Sequence, residues 1–358
     1  MSGTDPGISS GLTADGRDVS GLHRFMRDHV EGFAGTIDRV ERLNGGTSNP
    51  TYLVGVGERR YTLRRKPYGK LLPSAHQVDR EFRVIAALNQ TDVPVPRALA
   101  MCRDADVIGT DFYIMEFVDG RILWDQSLPG MAPSARAGIW DELNRGMAAL
   151  HAVDPVAVGL ADFARPGNYM TRQIDRWSRQ YQASKTDEIP EMDRLMAWLP
   201  AHTPESTRTT IVHGDYRLDN AIFHATEPKL LALLDWELAT LGDPYADFAY
   251  HCLSWRTPPD PKGRGLLGLD LVGSGIPSED AFVVTYCKRA GIERIPNWDF
   301  YVAYNLFRVA AIGQGVHKRS LDGVYDNRSR EENLAERVRM RAVLGWAIVE
   351  RLMKSGGA

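Results

Sequence analysis

The octapeptide His213-Gly214-Asp215-Tyr216-Arg217-Leu218-Asp219-Asn220 places a carboxylate, Asp215, and an amide, Asn220, five positions apart in one polar stretch. A further acid, Asp235, opens Asp235-Trp236-Glu237 at the end of the next apolar segment. Phosphoryl transfer asks little covalent work of a protein, which must position the nucleophile and neutralise charge on the transferring group. Such a site needs carboxylates, a divalent cation and fixed cations. An Asn amide oxygen and an Asp carboxylate are hard donors of the kind Mg2+ accepts, which points to Asn220 and Asp235 as metal ligands. Asp215 is then free to accept a hydroxyl proton. His213, His224 and His251 surround the motif, but their spacing suits no zinc triad, and they read as loop-bracing or core histidines. No Gly-x-Ser-x-Gly elbow accompanies Cys252 or Ser254, so the nucleophile is expected to be a hydroxyl of the substrate.

Two short apolar strands, at 210–212 and 230–234, precede these motifs, so the motifs are expected at the ends of neighbouring strands. Upstream, a short helix over 21–30 leads into strands at 37–43, 51–56 and 60–64. The first two bracket a small polar hairpin tip, Asn44 to Asn49. A helix over 75–88, opened by Ser74, carries Val78, Phe82, Ile85, Ala86 and Leu88 at helical spacing. The prolines of VPVPRAL forbid its continuation, and a strand pair ending in DFYIMEFVDG follows. Downstream, helical patterns cover 134–151, 169–181, 190–199, 282–288, 301–312 and 330–353. The order is β-β-β-α-β-β and then mostly helix.

Three ordered motifs, HGDYRLDN, LLDWE and LGDPYADFAYH, resemble the aminoglycoside phosphotransferase and choline kinase branch of the protein-kinase-like superfamily. Within it, the chain is similar to phosphotransferase-like proteins related to the N-terminal domains of certain acyl-CoA dehydrogenase family members, over roughly residues 38–350. The resemblance implies an α+β, bilobal protein-kinase-like fold, with a small antiparallel β-sheet N-lobe and a larger, mostly helical C-lobe. It divides the chain into a disordered leader at 1–20, a nucleotide-binding lobe at 21–118 and a catalytic and substrate-binding lobe at 119–358. It also implies ATP and Mg2+ as cofactors. Asp215 becomes the catalytic base or substrate-orienting carboxylate, Asn220 and Asp235 the metal ligands, and Arg217 a cation that meets the γ-phosphate. Arg64 occupies the strand position where kinases place a phosphate-holding lysine, with Glu81 as its partner. Arg keeps the charge but changes reach and geometry, so Arg65 or Lys66 could be the contact instead. Gly46, Thr47 and Ser48, in a turn without the GxGxxG pattern, could cap a triphosphate through hydroxyls and N–H groups. The backbone of Glu116 and Val118 falls where an adenine edge would bind. Asp243 and Asp247 read as a helix cap and a brace for the catalytic loop.

Composition excludes several classes of protein. With 43% hydrophobic and 25% charged residues, the 358-residue chain resembles an ordinary globular protein. A net charge of −3 with interspersed signs lacks the basic surface that a nucleic-acid partner requires. Three scattered cysteines suggest reduced thiols. No signal peptide or long apolar run is evident, so a cytoplasmic protein with no membrane contact is expected. The oligomeric state is not set by anything in the sequence. From Arg256 onward, sixteen Lys and Arg face twelve Asp and Glu. A polycationic antibiotic would call for the opposite balance. Asn305, Arg308, Gln314, His317 and Lys318, on a helix broken by glycines, would suit an anionic or neutral hydroxylated small molecule. A hydroxyacyl compound or its CoA ester fits, with an aminoglycoside, choline or an amino alcohol as alternatives. A catalytically silent nucleotide-binding module is the alternative of another class.

Overall fold

A computed structural model describes residues 19–43, 49–68, 77–164, 168–205, 208–323 and 334–355. The expectations on Gly46, Thr47, Ser48 and Ser74 lie outside the described residues. In chain order the elements are α1 (Ser20–His29), β1 (Arg39–Arg42), β2 (Thr51–Val56), β3 (Arg59–Arg65), α2 (Val78–Leu88), β4 (Ala98–Cys102), α3 (Ala105–Ile108), β5 (Phe112–Glu116) and β6 (Arg121–Ile122). They continue with α4 (Pro133–Ala152), α5 (Tyr169–Ser184), α6 (Pro190–Ala201), β7 (Thr210–Val212), β8 (Ala221–Phe223), β9 (Leu230–Leu233) and β10 (Thr240–Gly242). Four helices close the series: α7 (Pro244–Arg256), α8 (Glu279–Ala290), α9 (Trp298–Leu321) and α10 (Leu334–Lys354). The fold is α+β. No helix among the described residues is long and apolar enough to cross a membrane.

The chain forms two compact units, one of residues up to Ile122 with Val158–Leu160 and Asp219–Ala239, the other of Leu123–Ala157, Ala161–Leu218 and Thr240–Ala358. The first is built on an antiparallel sheet in the order β1-β2-β3-β5-β4. On one side of it Leu22 and Met26 of α1 join Val40, Val54, Leu63, Phe112 and Ile114 in a closed apolar core. Helix α2 buries Val78, Glu81, Val84, Ile85 and Leu88. These positions recur at the three- and four-residue spacing of one helix face, so Glu81 falls by register inside an apolar stripe. A buried carboxylate must find partners there or lose its charge. The same unit contains β6, β8 and β9 in a small antiparallel sheet.

In the second unit, Trp140 of α4, Phe248 and Trp255 of α7, and Phe282 and Tyr286 of α8 form an aromatic core, with Phe248 stacked on Tyr286 at 3.9 Å between ring centroids. Helix α7 is buried on nearly all sides. Its polar residues look for partners inside the protein, and three of them, Asp247, Tyr250 and His251, reach the site described below. Helix α9 runs unbroken through Gly313 and Gly315, contrary to the expected break. A Cβ at those positions would lie 3.0 Å from Val338 and 3.1 Å from Gln180, so the glycines permit close helix packing instead of ending the helix. The expectation of neighbouring motif strands is also corrected: β7 pairs with β10, and β9 pairs with β8. Strands of three residues carry no periodicity by which β8 and β10 could have been read.

Candidate active site

In the first unit, strand β3 sets Arg64 between Thr51 on β2 and Tyr113 on β5 as cross-strand partners, on one face of the sheet. Its Nε donates to Glu81 Oε2 at 2.6 Å and its Nη2 to Asp235 Oδ1 at 2.7 Å. One guanidinium thus joins a strand, a helix and the DWE turn. Glu81 is 1% exposed and also accepts from Asn49 Nδ2 at 2.5 Å and from Tyr113 Oη at 3.1 Å. Burial pushes the Glu81 carboxyl up, whereas Arg64 and Tyr113 pull it down. Burial prevails and holds the carboxyl above its ordinary value, while the Arg64 guanidinium and the two further donors, Asn49 and Tyr113, favour the charged form. Burial opposes the charge on Arg64 as well, and the attraction of Glu81 and Asp235 overrides it, holding its pKa above the ordinary value. Arg65 instead bonds Lys66 O and Tyr52 Oη and lies over the Tyr68 ring, while Lys66 pairs with Asp111. Of the three basic residues at this strand end, Arg64 is the one that meets Glu81.

Asp235 has left-handed backbone angles, φ 65° and ψ 59°. An aspartate tolerates this conformation better than most residues. Strand β9 delivers it: Ala221 pairs with Leu233, and Leu234 N–H donates to Asn220 O at 2.8 Å. The antiparallel register therefore brings Asn220 at the start of β8 alongside the residue that precedes Asp235. An amide oxygen and a carboxylate at adjoining strand ends are an oxygen donor set that fits Mg2+.

In the second unit, the His-Gly-Asp turn leaves β7 and is held by α7. Asp247 Oδ2 accepts from His213 N–H at 2.7 Å, and its Oδ1 accepts from Gly214 N–H at 2.8 Å. His151 Nε2 donates to the same carboxylate at 3.3 Å, while its Nδ1 lies 2.8 Å from Tyr286 Oη. Burial would raise the Asp247 carboxyl, but these donors hold it below the usual carboxylate range. Asp247 thus braces the turn, and Asp243 caps α7 through the N–H groups of Tyr245 and Ala246 and accepts from Tyr301 Oη. Gly214 sits at φ 81°, a value that suits glycine, and its carbonyl accepts from Arg308 Nη2 at 2.5 Å. Asp215 then projects a carboxylate whose Oδ1 accepts from Tyr250 Oη at 2.5 Å and whose Oδ2 lies 3.2 Å from Arg217 Nη2.

Sequence reasoning missed several residues that hold the site. Tyr250 supports the Asp215 turn, Asn49 and Tyr113 complete the shell of Glu81, and Arg308, expected to line an acceptor site, is instead buried and donates to the Gly214 carbonyl. A signal for Asn49 and Tyr113 was present, since a glutamate in the apolar stripe of α2 requires donors. Other expectations are corrected. Asn305 bonds Ala246 O and Tyr301 O, and Gln314 bonds Ser184 O and Thr186 Oγ1. Both are buried braces of α9, and neither is placed to line an acceptor site. The Glu116 N–H is engaged by Arg97 O at 2.9 Å, so what this residue could offer a base is its carbonyl.

Over residues 39–298 the sequence matches the phosphotransferase enzyme family. Acyl-CoA dehydrogenase family member 10 of Mus musculus is 47% identical over 303 residues, which is 83% of this chain and 28% of that protein. The chain spans less than half the length of the curated relatives it matches, between 28% and 45%. A crystal structure from Ralstonia eutropha JMP134, described as that of a candidate aminoglycoside phosphotransferase, has a TM-score of 0.86 and 48% identity, covering 93% of this chain and 98% of that one. Spectinomycin phosphotransferase, solved with ADP and spectinomycin, shares the fold at a TM-score of 0.60 and 12% identity over 93% of this chain and 99% of its own. With its fold, its ordered motifs and this match over most of its length, the chain belongs to the phosphotransferase enzyme family.

Proposed function

We propose that the protein transfers the γ-phosphoryl group of ATP, with Mg2+, to a hydroxyl of a small molecule. In that reaction the bond from the γ-phosphorus to the ADP oxygen breaks, a bond to the acceptor oxygen forms, and the hydroxyl proton passes to the Asp215 carboxylate. Asn220 and Asp235 are the residues that would hold the metal. Mg2+, when bound, neutralises charge on the phosphates. Arg64, fixed by Glu81, supplies a cation for the phosphates, and Arg217 is a second cation beside Asp215. The observation that carries the reading is the Arg64 array, in which one guanidinium bonds both Glu81 and Asp235. It favours an active kinase over a silent module, because a buried ion-pair network tied to the metal carboxylate is costly unless used.

For the acceptor, we favour an anionic hydroxylated compound, a hydroxy acid or hydroxyacyl-CoA ester. Arg341 on α10 carries the support. Its Nε is buried without a hydrogen-bond partner among the described residues. Its neighbours Arg264 and Arg337 share the single carboxylate of Asp260, at 2.7 and 3.0 Å. Burial and those two arginines lower the Arg341 pKa to about 10, so a cation crowded by like charges stands in the unit that holds Asp215. An anionic group on the acceptor would relieve it, and a polycationic antibiotic would not. The longer relatives are named acyl-CoA dehydrogenase family members, which also favours an acyl acceptor.

The test is ATP consumption with Mg2+ against a panel of hydroxyacyl-CoAs, hydroxy acids, amino alcohols and aminoglycosides, with Asp215→Asn as the blank. Turnover by the wild type alone, on an anionic acceptor, is expected. Turnover confined to amino alcohols or aminoglycosides would reverse the acceptor class. Nucleotide binding without turnover on any acceptor would favour the silent module.

A further inference from the structure

Helix α7 holds the Asp215 turn at two points one helical turn apart. Asp247 fixes the backbone N–H groups of His213 and Gly214, and Tyr250, three residues on, fixes the side chain of Asp215. The Tyr250 phenol is itself constrained. The Arg308 guanidinium lies 4.9 Å from the centre of its ring and also donates to the Gly214 carbonyl. Arg308 is 5% exposed. Its single side chain therefore ties the ring of Tyr250 to the peptide that precedes Asp215. The two carboxylate oxygens of Asp215 have different partners, a phenol on Oδ1 and the Arg217 guanidinium on Oδ2. A half-buried phenol is a persistent neutral donor, whereas Arg217 has a long side chain that a phosphate can attract away.

We propose that Tyr250 is a positioning residue for the transfer reaction: its hydroxyl anchors Asp215 Oδ1, so that Oδ2 faces the acceptor hydroxyl whose proton it receives. This rests on the reading of Asp215 as the proton acceptor. One physical effect follows from the bond. An anchored carboxylate loses the side-chain rotation that would carry Oδ2 out of line with the acceptor. Burial and the adjacent Asp215 charge push the Tyr250 phenol well above its ordinary value, so it remains protonated, and a donor, through the whole working pH range.

Tyr250→Phe removes one oxygen and keeps the ring under Arg308, so the fold is retained. The readout is the slow hydrolysis of Mg·ATP, in which water stands for the acceptor, measured beside thermal melting. In Tyr250→Phe, kcat should fall roughly tenfold with KM for Mg·ATP and the melting temperature nearly unchanged. In the Asp215→Asn background the same substitution should cost nothing further. An unchanged kcat in Tyr250→Phe would overturn the proposal, and so would a kcat loss that tracks a lowered melting temperature or that persists in the Asp215→Asn background. If Asp215→Asn hydrolyses ATP at the wild-type rate, it is the proton-acceptor reading that fails.

Discussion

At the scale of single residues, the guanidinium of Arg64 joins two carboxylates that a lysine could not hold together. A lysine ammonium is one point charge, whereas the guanidinium fork lets Nε serve Glu81 while Nη2 serves Asp235. Arg64→Lys is expected to keep Glu81 paired and lose Asp235, raising KM for Mg·ATP by about tenfold, with a smaller effect on kcat. Arg64→Met leaves Glu81 buried without a counter-charge and should lower stability by about 3 kcal/mol. Chemical denaturation and steady-state kinetics on both variants check this. A lysine variant with unchanged KM would show that the contact to Asp235 does not matter for nucleotide binding.

At the scale of elements, α10 carries a feature that stability alone does not explain. Arg341 is held among like charges with its Nε unpartnered. Removing a partly buried charge crowded by like charges relieves their repulsion, so Arg341→Met should raise the melting temperature by about 2–4 °C. If the arginine serves an anionic acceptor, the same variant should raise KM for that acceptor by about tenfold and leave KM for Mg·ATP alone. Higher stability with undiminished acceptor affinity would remove Arg341 from the acceptor site. Helix α7 shows a different arrangement, since three of its polar residues each hold part of the turn at 213–216. Asp247 takes the backbone, Tyr250 takes the Asp215 carboxylate, and His251 lies 3.2 Å from the Tyr216 carbonyl through Nδ1.

At the scale of the whole molecule, that last histidine couples the turn at 213–216 to folding. His251 is buried among Trp140, Tyr216, Trp255 and Phe282, and burial depresses its pKa to about 4. A group whose folded value lies below its unfolded value, about 6.5 for histidine, contributes stability that is fully present above the unfolded pKa. That stability is lost as pH falls towards the folded value, because the unfolded chain takes up the proton first. Over the window from about pH 6.5 to pH 4, His251 should cost the wild type about 3 kcal/mol of stability. His251→Gln, which cannot titrate, should lose correspondingly less across the same window in denaturation curves. Parallel losses in the two proteins would show that His251 is not the coupled group.

The local content of the sequence determined the order of the long elements, the oxygen donors and their spacing, and the family to which they point. Apolar periodicity and polar motifs are properties of neighbouring residues, legible without the fold. The tertiary structure decided which groups meet across long separations. Arg64, and neither Arg65 nor Lys66, reaches Asp235 over 171 residues. Tyr250 reaches Asp215 over 35, and Arg308 reaches Gly214 over 94. Asn305 and Gln314 became braces instead of acceptor-site residues because α9 runs unbroken in the interior. The three-residue strands β8 and β10 changed the pairing of the motif-bearing strands. Such contacts follow from packing direction and register, and a residue's own neighbours in the chain carry no trace of either.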